Sequence, residues 1–217
     1  RYEEQIKEHL PEVPAENITI EPMRKDTAAC IGLASLYIER KNPEAVMMVL
    51  PSDHLIKDEE RFLEVMESAV EVAKEGDNLV TVGVRPNYPE TGYGYIDYGT
   101  KHKEVNEEEV FEVNQFTEKP GKETAKKFVK DGTYLWNSGM FVWKVSTIRK
   151  MFEEYMPNLH RGLERMKQAI GTDMEDQVLK EEFEKLDKTS IDYGIMEKAD
   201  NIYVLPGSFG WDDIGSW

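Results

Sequence analysis

The chain has 217 residues and sets 27 Lys plus Arg against 43 Asp plus Glu, a formal net charge of −16 at pH 7. That balance argues against binding nucleic acid or adsorbing to an anionic membrane, both of which reward clustered cations, and the single Cys excludes a disulfide framework or a Cys-rich zinc site and fits a reducing cytoplasm. With 40% apolar residues the composition is globular, and the longest apolar run, residues 45–50, falls far short of the roughly 18 residues of a membrane span.

The sequence opens on a helical spacing of Tyr2, Ile6 and Leu10. Residues 18–20 form a short β-branched run, and residues 27–37 read as a helix that turns Ile31, Ala34, Leu36 and Ile38 inward. Residues 45–50 are continuously apolar and closed by Pro51, the pattern of a strand buried on both faces. Phe62, Val65, Met66, Ala69, Val70 and Val72 then recur at helical spacing, and residues 79–84 supply another strand. This alternation predicts a doubly wound α/β sheet rather than a bundle or a sandwich. Further on, residues 95–98, 110–116 and 135–145 are strand candidates around one helix at 121–130, which calls for a mixed sheet or an inserted β layer. Residues 151–186 read as helix with a solvated Glu and Lys face, and residues 202–205 return to strand. No repeat or linker divides the chain, so residues 1–217 read as one domain, cut at both ends because it begins at Arg1 inside a helical pattern and stops at Trp217.

Ligands of open parallel sheets gather at the carboxyl ends of the strands. Asp53 stands there after the apolar run, and a carboxylate so placed either caps a turn or holds Mg²⁺, a hard cation that prefers oxygen. Asp212 and Asp213, between Gly210 and Gly215, are a second pair, with an Asx turn as the plain alternative. The glycine loop formed by Thr91, Gly92, Tyr93, Gly94, Tyr95 and Ile96 is neither a P-loop nor GxGxxG, and is either a turn or a backbone that touches a sugar or phosphate. Glu118 and Lys119 follow another strand, as a surface ion pair or as ligand contacts. Asn137, Ser138 and Gly139 interrupt an aromatic β-forming run, which marks a bulge or hairpin or a group for a ligand hydroxyl. Between strand and helix, Glu21 offers a carboxylate that suits the N1 and N2 hydrogens of guanine, and Asp26 or Thr27 is a helix cap. Cys30 reads as core filler.

In this order the motifs resemble the sugar-1-phosphate nucleotidyltransferase family, and within it the mannose-1-phosphate guanylyltransferase branch. The carriers are EPMRKDTA from 21, PSDH from 51, TGYGYI from 91, FTEKP from 116, WNSGMF from 136, SIDYGIMEK from 190 and WDDIGSW from 211. The resemblance implies a Rossmann-like fold with a mixed, mostly parallel central sheet flanked by helices, lacking the family's first strand and phosphate loop. It implies an Mg²⁺-dependent enzyme that turns GTP and mannose 1-phosphate into GDP-mannose and pyrophosphate in the cytoplasm, with no nucleic acid or membrane partner; a homodimer is compatible with it. By position, Asp53 and Asp213 match the two metal-binding aspartates, and Glu21, Arg24 and Thr27 fall in the nucleotide-recognition stretch. Gly94, Glu118 and Asn137 match sugar contacts and Lys119 a lysine near the sugar phosphate, so Asp53, Asp213 and Lys119 are the catalytic set. Asp192, Glu197 and Lys198 fall in a segment near the sugar.

The chemistry agrees with this inventory. A sugar phosphate, with a second pKa of about 6, is largely ionised near neutrality and attacks phosphorus without a general base. Two departures stand out: Asp26 replaces the family's Asn, and no GGxGxR loop to cradle the triphosphate occurs in the chain. The alternatives are a relative using glucose 1-phosphate with UTP or dTTP, which Glu21 opposes, and a non-catalytic sugar-nucleotide binding module.

Overall fold

The computed structural model describes residues 3–214. Its main strands are β1 (Val46–Val49), β3 (Leu79–Val84), β4 (Gly94–Val105), β5 (Glu108–Thr117), β6 (Tyr134–Lys144) and β7 (Ile202–Gly207). They form one six-stranded sheet in the order β1-β6-β3-β7-β5-β4, while β2 (His54–Leu55) and β8 (Asp212–Asp213) pair apart from it as a two-stranded ribbon.

Successive side chains on a strand face opposite ways, and here both faces are apolar. Phe141 and Trp143 of β6 enter one core with Leu79 and Val204, whereas Met140 and Val142 enter another with Val80, Val82 and Leu205. Helix α3 (Glu59–Lys74) closes the second core with Val65, Met66, Ala69 and Val72, four positions on one side of its 3.6-residue turn. The first core is closed by α2 (Thr27–Lys41), α5 (Val145–Tyr155), α6 (Pro157–Ala169) and α7 (Glu175–Lys185) through Leu33, Ile148, Phe152, Leu163 and Phe183. A short α1 (Glu3–His9) precedes this α/β/α body and α4 (Lys122–Asp131) lies between β5 and β6. Among the described residues no helix is long and apolar enough to cross a membrane.

The sheet is mixed, as the middle of the sequence foretold. β1, β3, β4 and β7 run one way, yet β6 lies antiparallel between β1 and β3, and β5 antiparallel between β7 and β4. The sole parallel ladder among the described pairings is therefore β3 with β7. Mostly parallel is thus right for strand direction and wrong for the ladders. Connectivity accounts for one of these ladders: β4 and β5 are joined through Asn106 and Glu107, both at positive φ as a tight hairpin turn demands, and a hairpin delivers only antiparallel neighbours.

Other expectations change with it. Residues 18–20 form no strand, and Ile20 is 51% exposed. The apolar run 45–50 narrows to β1, an edge strand paired with β6: Met47 and Val49 face the first core and Val46 packs against the second, while Met48, on the Val46 side, is 52% exposed. The helical stretch 151–186 breaks at Pro157, which cannot donate a ladder bond, and at Gly171, whose φ of +83° leaves the right-handed helix. Cys30 lies on the exposed side of α2 instead of in the core. Arg1, Tyr2 and the trailing Gly215, Ser216 and Trp217 of the last motif lie outside the described residues.

Candidate active site

Where β4, β5 and β6 meet, a cleft of about 200 Å³ is lined by Gly94, Glu118, Lys119, Asn137, Asp192 and Asp213, together with His54, Tyr93 and Trp211. Gly94 opens β4 opposite Asn137 in register, and a Cβ there would run into the Glu118 carboxylate and against Asn137. Glycine is what lets these two groups converge. Glu118 and Lys119 leave the end of β5, and a left-handed turn at Lys119 (φ +46°) brings both side chains to the cleft, with Lys119 Nζ 3.4 Å from Glu118 Oε1.

The Asn-Ser-Gly interruption is a bulge in a continuous strand. The register of β6 against β3 shifts between Thr81 and Gly83, and Gly139 takes φ +70°. Ser138 Oγ donates to Val82 O at 2.6 Å, and Gly139 N donates to Asn137 Oδ1 at 3.1 Å. Asn137 Nδ2 then donates to Asp192 Oδ1 at 2.8 Å. Asp192 begins a wide π turn, Asp192–Met196, a conformation that recurs at functional sites. Burial holds the Asp192 carboxyl above its ordinary range, with Glu197 adding to the rise while the Asn137 hydrogen bond and Lys119 pull it down. Glu118 is raised as well, by burial first and by Asp192 next, against the opposing pull of Lys119.

The second half of the site is built by the β2–β8 ribbon, which sets His54 opposite Asp213 and Leu55 opposite Asp212. Ile214 N donates to Asp53 O (3.2 Å), and Lys57 N and Asp58 N share Phe209 O (3.1 and 3.0 Å), so both arms are tied at their ends. Asp53, His54 and Asp213 consequently each present one ligand atom, all within 4.8 Å of one another. Trp211 Nε1 donates to His54 Nδ1 at 3.0 Å, which leaves the ring proton of neutral imidazole on Nε2. Burial lowers the His54 pKa, opposed by Asp213 and Asp53.

Sequence reasoning gave no role to the aromatic wall beside these carboxylates. Tyr93 packs edge-on against Trp136 and Trp211 with ring centroids 5.3 and 5.4 Å apart, and Trp211 meets His54 at 5.2 Å. The signal was present, since each ring sits one or two positions from a polar residue already singled out. Glu21, Arg24 and Thr27 do not line this cleft. Glu21 Oε2 is nonetheless buried without a hydrogen-bond partner, and burial raises the Glu21 pKa. Thr27 Oγ1 accepts from Ile191 N at 2.8 Å, one residue before Asp192. Glu197 Oε1 accepts from Glu118 N at 3.3 Å, whereas Lys198 lines a separate cleft with Tyr155, Met156 and Thr189.

The sequence matches the family described as Nucleotidyl transferase over residues 1–217. The chain belongs to the nucleotidyl transferase family. It is 40% identical over 205 residues to "Mannose-1-phosphate guanylyltransferase" of Escherichia coli (strain K12), covering 93% of this chain and 43% of that protein. The chain thus spans less than half the length of this curated relative. The crystal structure of "mannose-1-phosphate geranyltransferase" from Thermus thermophilus superposes with a TM-score of 0.85 at 34% identity, over 98% of this chain and 59% of that one. That of "mannose-6-phosphate isomerase" from Helicobacter pylori gives 0.72 at 27% identity, over 88% and 72%.

For a nucleotidyl transferase the donor set fits a hard divalent cation. Two carboxylates offer oxygen, and the histidine beside them has Nδ1 committed to Trp211 and its proton on Nε2. The cleft next to the pair is lined by a carboxylate, an amide and an ammonium, groups that suit the hydroxyls and phosphate of a sugar phosphate.

Proposed function

We propose that this chain transfers a guanylyl group from GTP to mannose 1-phosphate, giving GDP-mannose and pyrophosphate, as part of a mannose-1-phosphate guanylyltransferase acting in the cytoplasm. The observation that carries the reading is the convergence of the Asp53 and Asp213 pair with Glu118, Lys119, Asn137 and Asp192 at one end of the sheet. The identity to named guanylyltransferases supports the choice of substrates.

In this reading Asp53 and Asp213 hold Mg²⁺, which when bound supplies positive charge to the phosphates in a chain of net charge −16. Lys119 adds a cation for the sugar phosphate. Glu118 and Asn137 accept from and donate to sugar hydroxyls, and Gly94 leaves them the space. The Glu21 carboxylate, whose Oε2 is buried without a protein hydrogen-bond partner, accepts the N1 and N2 hydrogens of guanine through its two oxygens, a pair of donors of which uracil offers only one. Because the attacking phosphate is already ionised, positioning and charge neutralisation carry the rate and no base is required.

Pyrophosphate release in the presence of GTP should require both mannose 1-phosphate and MgCl₂. Asp53→Ala and Asp213→Ala should each reduce it by at least about a hundredfold. Full activity in either variant would overturn the metal assignment, and faster turnover with UTP than with GTP would overturn the base assignment.

A further inference from the structure

The side chains and backbone of residues 25–27 grip a segment more than 150 residues away in sequence. Lys25 Nζ donates to the carbonyls of Glu184 (3.1 Å) and Leu186 (2.7 Å). These sit at the end of α7, where carbonyls lack intrahelical partners and the helix dipole favours a cation. The backbones then run together, with Thr189 N donating to Lys25 O at 3.3 Å and Ala28 N to Thr189 O at 3.2 Å. Thr27 Oγ1 completes the clasp by accepting from Ile191 N at 2.8 Å. Between the two side chains, Asp26 accepts from Thr27 N (2.9 Å) while its backbone takes φ 71° and ψ −177°, a region open essentially to glycine. Such a conformation persists only where the surroundings over-determine it, and the bonds on either side do so.

What the clasp delivers is the next residue along. Asp192 follows Ile191 directly, opens the π turn, and accepts from Asn137 Nδ2 in the cleft. Gly194 N donates back to Ser190 O at 2.9 Å, so the turn is anchored to the clasped segment itself. A short path of bonds therefore leads from Thr27 through Ile191 and Asp192 to Asn137.

We propose that Lys25 and Thr27 are positioning residues for the sugar side of the site: by clasping residues 184–191 they set Asp192, and through it Asn137, for the sugar phosphate. Thr27 then governs sugar-phosphate recognition rather than recognition of the nucleobase, to which its place in the sequence had assigned it. The proposal rests on the reading of the cleft as the mannose 1-phosphate site.

The test compares Thr27→Val, which keeps the shape and deletes the acceptor, with Thr27→Ser, which keeps the acceptor, and adds Lys25→Met. Calorimetric titrations of mannose 1-phosphate and of GDP into each protein, with MgCl₂ present, separate the two sides. Thr27→Val should weaken mannose 1-phosphate by about tenfold or more and leave GDP within about twofold, Thr27→Ser should bind as the parent does, and Lys25→Met should follow Thr27→Val. The Asn137 side-chain amide resonances should shift in Thr27→Val and stay put in Thr27→Ser, a signature that a general loss of stability does not produce. Equal weakening of both ligands, weakening of GDP alone, or unmoved Asn137 resonances in Thr27→Val would overturn the clasp. Failure of the parent protein to bind mannose 1-phosphate would overturn the reading of the cleft, and the Asn137 resonances would then decide the clasp by themselves.

Discussion

Asp192 combines two features that pull against each other, burial that favours its neutral form and an amide donor that favours the carboxylate. Burial wins, and the folded chain holds this proton to higher pH than the unfolded chain does. The consequence for stability has a definite sign. The native state binds more protons in the window between the ordinary carboxylate pKa and the raised one, so stability is greatest on the acid side of that window and falls as pH rises through it. Glu118, itself raised, contributes in the same direction, while Lys119 opposes both and Glu197 adds to them. Asp192→Asn cannot ionise yet keeps an oxygen that accepts from Asn137. Its urea midpoint should gain on the parent's as pH rises from about 4 to about 7. A difference that stays flat over that range would show that Asp192 ionises in the folded chain as it does in the unfolded one.

At the scale of elements, helices were the most legible part of the sequence because their apolar spacing is a local signal. Val65, Met66, Ala69 and Val72 of α3 face the core as their period requires. Phe152 is a sharper case: it lies in a stretch whose pattern reads as one long helix, and the structure gives it to α5, fully buried in the core that α5 shares with α2, α6 and α7. Phe152→Ala should cost about 3–5 kcal/mol in urea unfolding with an unchanged denaturant slope; a cost under about 1 kcal/mol would mean that the α5 packing is not as described. What sequence could not show is which strands neighbour which. The run 45–50 has the composition of a central strand, but among the described residues β1 pairs with β6 alone, almost 90 residues later, and so lies at the edge of the sheet. The site divides along the same line. Asp53, Glu118 and Asn137 were legible because polar residues at the ends or interruptions of apolar strands are conspicuous against their surroundings. The Trp211–His54 bond and the grip of Lys25 on α7 join residues 157 and more than 150 positions apart, and no local pattern announces them.

At the scale of the whole molecule, a net charge of −16 is unfavourable to the phosphates of the proposed reaction. With 43 acidic against 27 basic residues, compaction is opposed by self-repulsion, which ordinary salt screens over a Debye length of about 8 Å at 0.15 M. Thermal stability should therefore rise with NaCl, even though the exposed pairs of Lys101 with Glu104 and Glu109 are weakened by the same ions. A cation bound between Asp53 and Asp213 acts by a different route. It favours the native state by mass action, about 1.4 kcal/mol when its concentration is tenfold above the dissociation constant, and the gain continues logarithmically instead of levelling off with ionic strength. Melting curves in MgCl₂ should lie above those in NaCl at matched ionic strength, and the gap should close when Asp53 and Asp213 are both replaced by Asn. Two salts that superimpose for the parent protein would mean that the carboxylate pair does not select a divalent ion without nucleotide. A gap that survives the double substitution would place the cation elsewhere on the acidic surface.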